Sequence, residues 1–172
     1  LWLATHTARS PRQSLEGMPN SILYRMILEQ ASSIADAREI IKANLPACAS
    51  NVMLASFTDH TAAATEIDNG GHSFRQTYTS YNGPVTVATC TNHFISLEGA
   101  ATSNSRLRQY FLKTEGKELR EASMDAVTGI ISDWGVLNEI TAYSIVTDGS
   151  EVRELIGDGI PSDADRYETS TL

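Results

Sequence analysis

Two carboxylates stand two positions apart near the end of a predicted strand. Glu66 and Asp68 flank Ile67, and because side chains alternate along a strand, both carboxylates project to the same face. A carboxylate pair can divide the roles of general acid and general base. Carboxylates at a strand end are more often solvated side chains, and we interpret Glu66 and Asp68 in that way.

The two thiols, Cys48 and Cys90, are a second candidate set. A thiolate is a strong nucleophile, but neither cysteine is at a chain terminus, and Cys90 ends an apolar strand. Two cysteines are too few for a disulfide framework. They could form one bridge, yet two buried thiols in a reducing compartment are the better interpretation, with a structural role for both.

The histidines show none of the spacings that hold a metal ion. They are His6, His60, His72 and His93. The sequence therefore predicts neither a metal site nor a bound cofactor.

Helices and strands, which the spacing of apolar residues predicts, must position these groups. An apolar stripe after Pro19 predicts one helix, and the Ser33–Asp36 capping pair begins a second that ends near Asn44. Residues 1–3 could be a strand, and 4–18 are typical of a loop. Two later helices are predicted at 103–113 and 121–131. The predicted strands span 51–57, 62–67, 74–81, 85–90, 139–146 and 151–156. Antiparallel strands with helices gathered in layers indicate the α+β class.

Composition excludes some partners. The chain of 172 residues has a formal net charge of −8, which repels phosphate backbones and argues against nucleic acid. There is no apolar run of about 18 residues, so a membrane span is not expected. The chain begins with Leu1 and not with an initiator Met, which suggests a processing site or a fragment. The few cysteines and the lack of a signal segment favour the cytoplasm, although the compartment stays open.

Three motifs, in order along the chain, resemble the acyl-CoA:penicillin-type acyltransferases and carcinine-type amidases, a peptidase C45-like family related to choloylglycine hydrolases. The motifs are Gly17-Met18-Pro19-Asn20 leading into Leu23-Tyr24-Arg25-Met26-Ile27-Leu28, then Thr91-Asn92-His93-Phe94, and Ser103-Asn104-Ser105-Arg106. The closing segment 157–161 also looks like the family's last strands.

The resemblance implies the N-terminal-nucleophile fold, a four-layer αββα sandwich. Residues 1–172 would be the C-terminal part of one such domain. In this family an amino-terminal Cys, freed by self-processing, attacks an amide carbonyl, and its α-amine relays the proton. Neither Cys48 nor Cys90 supplies such an amine, so the nucleophile is expected in a segment outside this chain.

By the same resemblance, Asn92 and Arg106 are the catalytic candidates. The amide of Asn92 would donate to the oxyanion while staying neutral; the alternative is an Asn that turns the chain after a strand. Arg106 would lie beside the nucleophile and favour its thiolate; the alternative is a solvated helix residue. Arg108 lies on another helix face and is the weaker candidate, and His93 is interpreted as structural.

The resemblance therefore implies an amide C–N bond hydrolase or an acyltransferase that works through an acyl-enzyme. The alternative is a non-catalytic binding or scaffold domain with the same fold. The expected partners are the segment that carries the nucleophile and a small amide substrate. Formation of a homo-oligomer is a further possibility that the sequence leaves open. Residue identity does not separate hydrolysis from acyl transfer, because both share the acyl-enzyme.

Overall fold

The computed structural model describes residues 1–75, 77–133, 136, 143–147, 151–156 and 168–171. Two compact units are formed, one by Leu1–Tyr78 with Thr86–Gln109 and the other by Thr79–Val85 with Tyr110–Leu172. The helices are α1 (Asn20–Gln30), α2 (Ile34–Ala43), α3 (Ser103–Glu118) and α4 (Met124–Ser132). The strands are β1 (Trp2–Thr7), β2 (Ser50–Ser56), β3 (Thr61–Asp68), β4 (Gly71–Phe74), β5 (Tyr78–Thr79), β6 (Thr86–Val87), β7 (Tyr143–Thr147), β8 (Glu151–Ile156) and β9 (Glu168–Thr171).

The first unit is built on an antiparallel sheet in which the strands follow the order β1-β2-β3-β4. Helices α1 and α2 cover one face, and their apolar stripes pack on alternate residues of β2 and β3. The buried members of this cluster are Leu23, Ile27, Ala31, Ala37, Ile41, Val52, Leu54 and Ile67. Burial of a large aliphatic side chain stabilises a fold by about 1.5–3 kcal/mol, so this layer is the main source of stability in the unit.

Helix α2 begins as the sequence predicts. The Ser33 hydroxyl accepts the N–H of Asp36, and the Asp36 carboxylate accepts the N–H of Ser33, each at 3.1 Å. This capping box satisfies donors that a helix start leaves unpaired.

The other face of the sheet is apolar in its middle and polar at one end. Because side chains alternate along β2, Asn51 and Met53 face away from the helices. The register places Ala64 beside Met53, and Glu66 beside Asn51. On the far side of β2, His6 is also paired with Asn51. The polar end of this face is where the candidate site lies.

In the second unit, the end of α3 holds a neighbouring loop. The Tyr81 N–H and the Ser80 hydroxyl donate to the carbonyl of Lys117, at 2.8 and 3.0 Å. Helix α4 begins after Ser123, whose hydroxyl accepts the N–H of Ala126 at 3.3 Å. Strands β7, β8 and β9 form an antiparallel sheet.

The predicted α+β class is confirmed, as are α1, α2 and the pairing of the strands at 51–57 and 62–67. Helix α3 runs five residues beyond the predicted end, and α4 begins three residues later than predicted. The closing hairpin is present as β7 and β8. Its positions 139–142 and 148–150, and the segment 157–161 that looks like the family's last strands, lie outside the described residues.

The strand predictions are wrong at three places, and they also missed β9 and all of β4 except Phe74. Strand β1 continues to Thr7, where a loop was expected from residue 4. The predicted strands 74–81 and 85–90 are reduced to β5 and β6. Side-chain hydrogen bonds replace strand pairing there, because the Ser80 hydroxyl binds the Lys117 carbonyl and the Thr89 hydroxyl accepts from Gln109 at 2.7 Å.

Candidate active site

Residues 91–97 lie across the polar end of the sheet and carry Asn92. Asn51, fully buried on β2, donates from Nδ2 to the carbonyls of Thr91 and His93, at 2.6 and 2.9 Å. Because carbonyls only accept hydrogen bonds, these contacts also fix the orientation of the Asn51 amide. The sheet therefore holds the backbone on both sides of Asn92.

Glu66 holds the rest of this loop. Its side chain is fully buried, and its carboxylate accepts the N–H groups of Ile95, Ser96 and Leu97, at 2.7, 2.8 and 2.8 Å. Arg75 Nε lies 3.8 Å from Glu66 Oε1, too far for a hydrogen bond but close enough to balance the charge. The interpretation of Glu66 as a solvated carboxylate is therefore wrong. The strand end is covered by the loop that the carboxylate binds.

Asp68 is also fully buried, contrary to expectation. Its carboxylate accepts the Ser10 hydroxyl at 2.8 Å, Arg12 Nε at 3.1 Å and the N–H of Gly70 at 2.8 Å. These contacts fasten the segment after β1 to the end of β3. Since both carboxylates are occupied by donors from the protein, we assign them a structural role.

Thr91, His93 and Ser105 join the loop to the first turn of α3. The Thr91 hydroxyl donates to the Ser105 carbonyl, and the Ser105 hydroxyl donates to Thr91 Oγ1, both at 3.0 Å. With both hydroxyl protons in use, His93 Nδ1 is the donor to Ser105 Oγ at 2.9 Å. The neutral ring then carries its lone pair on Nε2. This network sets the position of α3 relative to Asn92.

Asn92 is exposed, and its amide is held at both ends. Its Oδ1 accepts a hydrogen bond from Arg108 Nη2 at 2.9 Å, and its Nδ2 donates to the carbonyl of Thr7 at 3.2 Å. Arg108 also donates from Nε to Asn104 Oδ1 at 2.8 Å. Because a guanidinium cannot accept, Arg108 identifies the oxygen of the Asn92 amide. One of the two N–H groups on Nδ2 is left without an acceptor among the described residues.

Arg106, the predicted cation, is exposed. Its backbone N–H makes a helical hydrogen bond to the carbonyl of Thr102 at 3.1 Å. The structure brings Arg108, rather than Arg106, into contact with Asn92. Helix-face reasoning ranked Arg108 lower, but a long side chain on a helix leans over the preceding turn, which here reaches the loop. The role of Arg106 stays a prediction.

The imidazoles near the site are held neutral. Burial lowers the pKa of His93, and the charges of Arg106 and Arg75 lower it further. Burial also lowers the pKa of His6, with a contribution from Arg108. The arginines therefore supply the positive charge of this region at neutral pH.

The cysteines differ in their surroundings. Burial raises the pKa of Cys90 to about 12, so that residue is a protonated thiol at neutral pH. Cys48 is exposed, and both cysteines are free. The prediction of a buried thiol is confirmed for Cys90 and wrong for Cys48, which lies on a surface loop before β2.

A cleft of about 760 Å³ lies elsewhere in the first unit, between α2 and the edge of the sheet at β3 and β4. Neither Asn92 nor Arg106 lines this cleft. The candidate residues instead lie on an open surface of the unit.

Within the described part of the chain, no group of three or more His, Cys, Asp or Glu side chains is placed to hold a metal ion. None of the helices described is long and apolar enough to cross a membrane.

The geometry thus places an exposed amide, held by an arginine and by a backbone carbonyl, beside the polar end of the sheet. Residues 3–125 match the model of the acyl-coenzyme A:6-aminopenicillanic acid acyl-transferase family, and the chain belongs to that family. No curated protein matches the chain. The resemblance seen in the sequence is thus confirmed at the level of the acyltransferase family, and membership indicates acyl-transfer chemistry.

Sequence reasoning missed three residues that build this region: Asn51, Glu66 as a loop anchor, and Arg108. One signal was present for Glu66, because the alternation of β3 places it on the same face as Ala62 and Ala64. The neighbouring sequence does not indicate the partner of Asn51, which is forty positions away, or the partner of Arg108, which is sixteen positions away.

Proposed function

We propose that the protein cleaves or forms an amide C–N bond through an acyl-enzyme, with Asn92 as the oxyanion donor. The main support is the fixed orientation of the Asn92 side-chain amide. Arg108 binds its oxygen, and the second N–H of Nδ2 has no acceptor among the described residues. Family membership supports the reaction class. A donor fixed before the reaction needs no rearrangement when charge develops, which is why such groups are effective.

The proposed nucleophile is the thiolate of a Cys at the amino terminus of a catalytic chain, in a segment outside residues 1–172. Cys90 is unsuited because burial keeps it protonated, with a pKa of about 12. Cys48 is exposed, but neither residue has the free α-amine that would carry the proton.

The proposed reaction has two halves. In the first, the sulfur bonds to the carbonyl carbon, the π pair moves to oxygen, and Asn92 Nδ2–H binds that oxyanion. The terminal amine has taken the proton of the cysteine thiol. Collapse of the intermediate breaks the C–N bond of an amide donor, or the C–S bond of an acyl-coenzyme A, and the leaving nitrogen or sulfur takes that proton. In the second half, the oxygen of water or the nitrogen of an amine bonds to the acyl carbon and gives its proton to the terminal amine. The C–S bond then breaks, the thiolate is regenerated, and an acid or a new amide leaves.

The two arginines have separate proposed tasks. Arg108 orients the Asn92 amide through its hydrogen bond to Oδ1. Arg106 contributes positive charge that favours the thiolate, as the family resemblance implies. Since burial lowers the pKa values of His6 and His93, neither imidazole competes as the cation.

For the complete fold we propose the four-layer αββα sandwich. A second sheet would cover the face of the first unit opposite α1 and α2. Support comes from Met53 and Ala55, which lie on this face and are only partly buried. Close packing of two sheets needs an apolar face of this kind.

The test uses the full-length protein, an acyl-coenzyme A as donor and 6-aminopenicillanic acid as acceptor, the pair in the family's name, together with a simple acylated amide. Intact-protein mass spectrometry should show an acyl adduct on a cysteine other than Cys48 and Cys90. Asn92→Ala and Asn92→Asp should both lower kcat by about 10²–10³ with little change in KM. Asn92→Asp keeps an oxygen for Arg108 but has no N–H, so it isolates the donor. Asn82→Ala, an exposed Asn in the other unit, is the control.

A non-catalytic scaffold is the second candidate, and one observation favours it: Asn92 lies on an open surface and outside the cleft. The same experiment separates the two. A full-length protein that forms no adduct with any of these donors, and whose ligand binding is unaffected by Asn92→Asp, would be a scaffold.

A further inference from the structure

The cleft beside α2 takes no part in the proposed reaction, and its lining points to a ligand of its own. Its volume of about 760 Å³ is in the range of small-molecule sites. Helix α2 forms one wall, with Arg38 and Lys42. The start of β3, with Thr61 and Ala62, and the end of β4, with Phe74, form the other wall. The cleft thus combines apolar side chains with the cations of Arg38, Lys42 and Arg75 and the carboxylate of Glu39.

Arg38 and Lys42 lie one helical turn apart and converge on the same ring. The guanidinium carbon of Arg38 is 4.9 Å from the Phe74 ring centroid, and Lys42 Nζ is 5.8 Å from it. Like charges at this spacing repel. Glu39 pairs with Lys42 at 2.6 Å, and Arg38 has no ion pair among the described residues. This local excess of positive charge stands out in a chain whose net charge is −8.

Arg38 also has a donor without an acceptor. Its Nε is buried and has no hydrogen-bond partner among the described residues. Because this atom is shielded from solvent, the nitrogens that can meet a ligand in the open cleft are the terminal Nη groups of the same guanidinium. A guanidinium fork matches the two oxygens of a carboxylate or a phosphate.

Arg75 borders the cleft, but its guanidinium is directed elsewhere. Its Nε lies 3.8 Å from the carboxylate of Glu66, on the face of the sheet opposite α2. We assign the contacts to an anion to Arg38 and Lys42, because Arg75 already faces the Glu66 carboxylate. Its Nη1 is, like Arg38 Nε, buried without a hydrogen-bond partner among the described residues.

We propose that this cleft binds a small organic oxyanion, a carboxylate or phosphate on an apolar body. Arg38 binds two oxygens of the anion, and Lys42, which keeps donors beyond the one used by Glu39, binds it from the next turn. Phe74 and Ala62 contact the apolar body, and the Thr61 hydroxyl lies at the rim. This site is independent of the acyl-transfer chemistry at Asn92.

The test is calorimetric titration of the full-length protein with benzoate, phenyl phosphate and inorganic phosphate at constant ionic strength. At least one organic anion should bind saturably, and more tightly than inorganic phosphate, because the ring adds apolar contact. A preference for benzoate identifies a carboxylate ligand, and a preference for phenyl phosphate identifies a phosphate ester. Absence of saturable binding of both organic anions up to about 10 mM overturns the proposal.

Variants locate the binding. Arg38→Gln should lower the affinity for the preferred anion by about tenfold or more. Arg38→Lys should lower it by less, since the positive charge remains although the forked guanidinium is lost. Lys42→Gln is a second probe at a half-exposed position that tolerates change. Arg25→Gln is the matched control, an exposed arginine on α1 that pairs with Glu29. Equal affinity in Arg38→Gln, Lys42→Gln and Arg25→Gln would place the anion elsewhere and overturn the proposal.

Discussion

Arg108 donates from Nη2 to Oδ1 of Asn92 across 2.9 Å, and this contact decides which end of the amide is the oxygen. The Nδ2 group then donates to the carbonyl of Thr7 at 3.2 Å. An amide held in this way presents its remaining N–H in one direction. The contact belongs to Arg108, which the sequence analysis placed below Arg106, and the role of Arg106 stays a prediction.

Arg108→Met should lower kcat by about tenfold, because the Asn92 amide loses the partner that orients it, and hydrogen bonds to charged groups are worth about 1.5–3 kcal/mol before solvent screening. Arg108→Lys should recover part of the rate. Steady-state kinetics of the full-length protein, with a lower kcat and a nearly constant KM, would show the effect.

Arg106→Met is the comparison variant. If Arg106 favours the thiolate, its loss should shift the pH profile of kcat/KM to higher pH, since a thiolate without a neighbouring cation forms at higher pH. Arg108→Met should lower the rate without that shift. Identical profiles for wild type and Arg106→Met would remove Arg106 from the mechanism.

Glu66→Gln should lower the free energy of unfolding by about 2–4 kcal/mol, as measured by urea denaturation. An amide nitrogen replaces one carboxylate oxygen and faces backbone donors, and Arg75 loses its counter-charge. Glu29→Gln is the control, because Glu29 is a half-exposed partner of Arg25, and its loss should cost under about 0.5 kcal/mol. Equal stability of the two variants would contradict the role of Glu66 as a loop anchor.

The sequence predicts the first unit well where the information is local. Apolar periodicity locates α1 and α2, and Ser33 with Asp36 marks the start of α2. It fails where a side chain satisfies backbone groups far along the chain. The sequence suggests a solvated Glu66, because the three backbone N–H groups that its carboxylate binds are about thirty positions away in the chain. Only folding brings that loop to the strand. Burial patterns alone contain no record of such contacts.

For the candidate site, the sequence suggests a residue but not the contacts of its side chain. Motif resemblance selects Asn92, and the structure shows how Asn51 and Arg108 hold it. The contact between Arg108 and Asn92 depends on the reach of a long side chain from α3 to a loop. Helical spacing reports only the direction in which a side chain leaves the helix, so it placed Arg108 below Arg106, whose own role rests on the family resemblance.

The stability of the protein should fall as the pH drops below about 6.5, the ordinary pKa of histidine in an unfolded chain. Burial and nearby arginines lower the pKa of folded His93, so the unfolded state binds more protons in this range. The loss begins near the unfolded pKa and is complete below the folded one. Measured between pH 7.5 and 5, His93→Asn should show a shallower fall, since its amide can donate to Ser105 without titrating. His60→Asn is the control at an exposed position with a φ of 51°, which Asn tolerates.

Thiol labelling tests whether Cys90 is the buried, unreactive residue that the proposed chemistry requires. Burial raises the pKa of Cys90 to about 12, so its thiol stays protonated at pH 8. Cys48 is exposed on a surface loop. Iodoacetamide should therefore label Cys48 within minutes and leave Cys90 untouched until urea unfolds the protein, as peptide mapping by mass spectrometry would show. Cys48→Ser removes the fast site and should not change turnover. Rapid labelling of Cys90 in the folded protein, with loss of activity, would instead make Cys90 a candidate nucleophile and reverse its structural assignment.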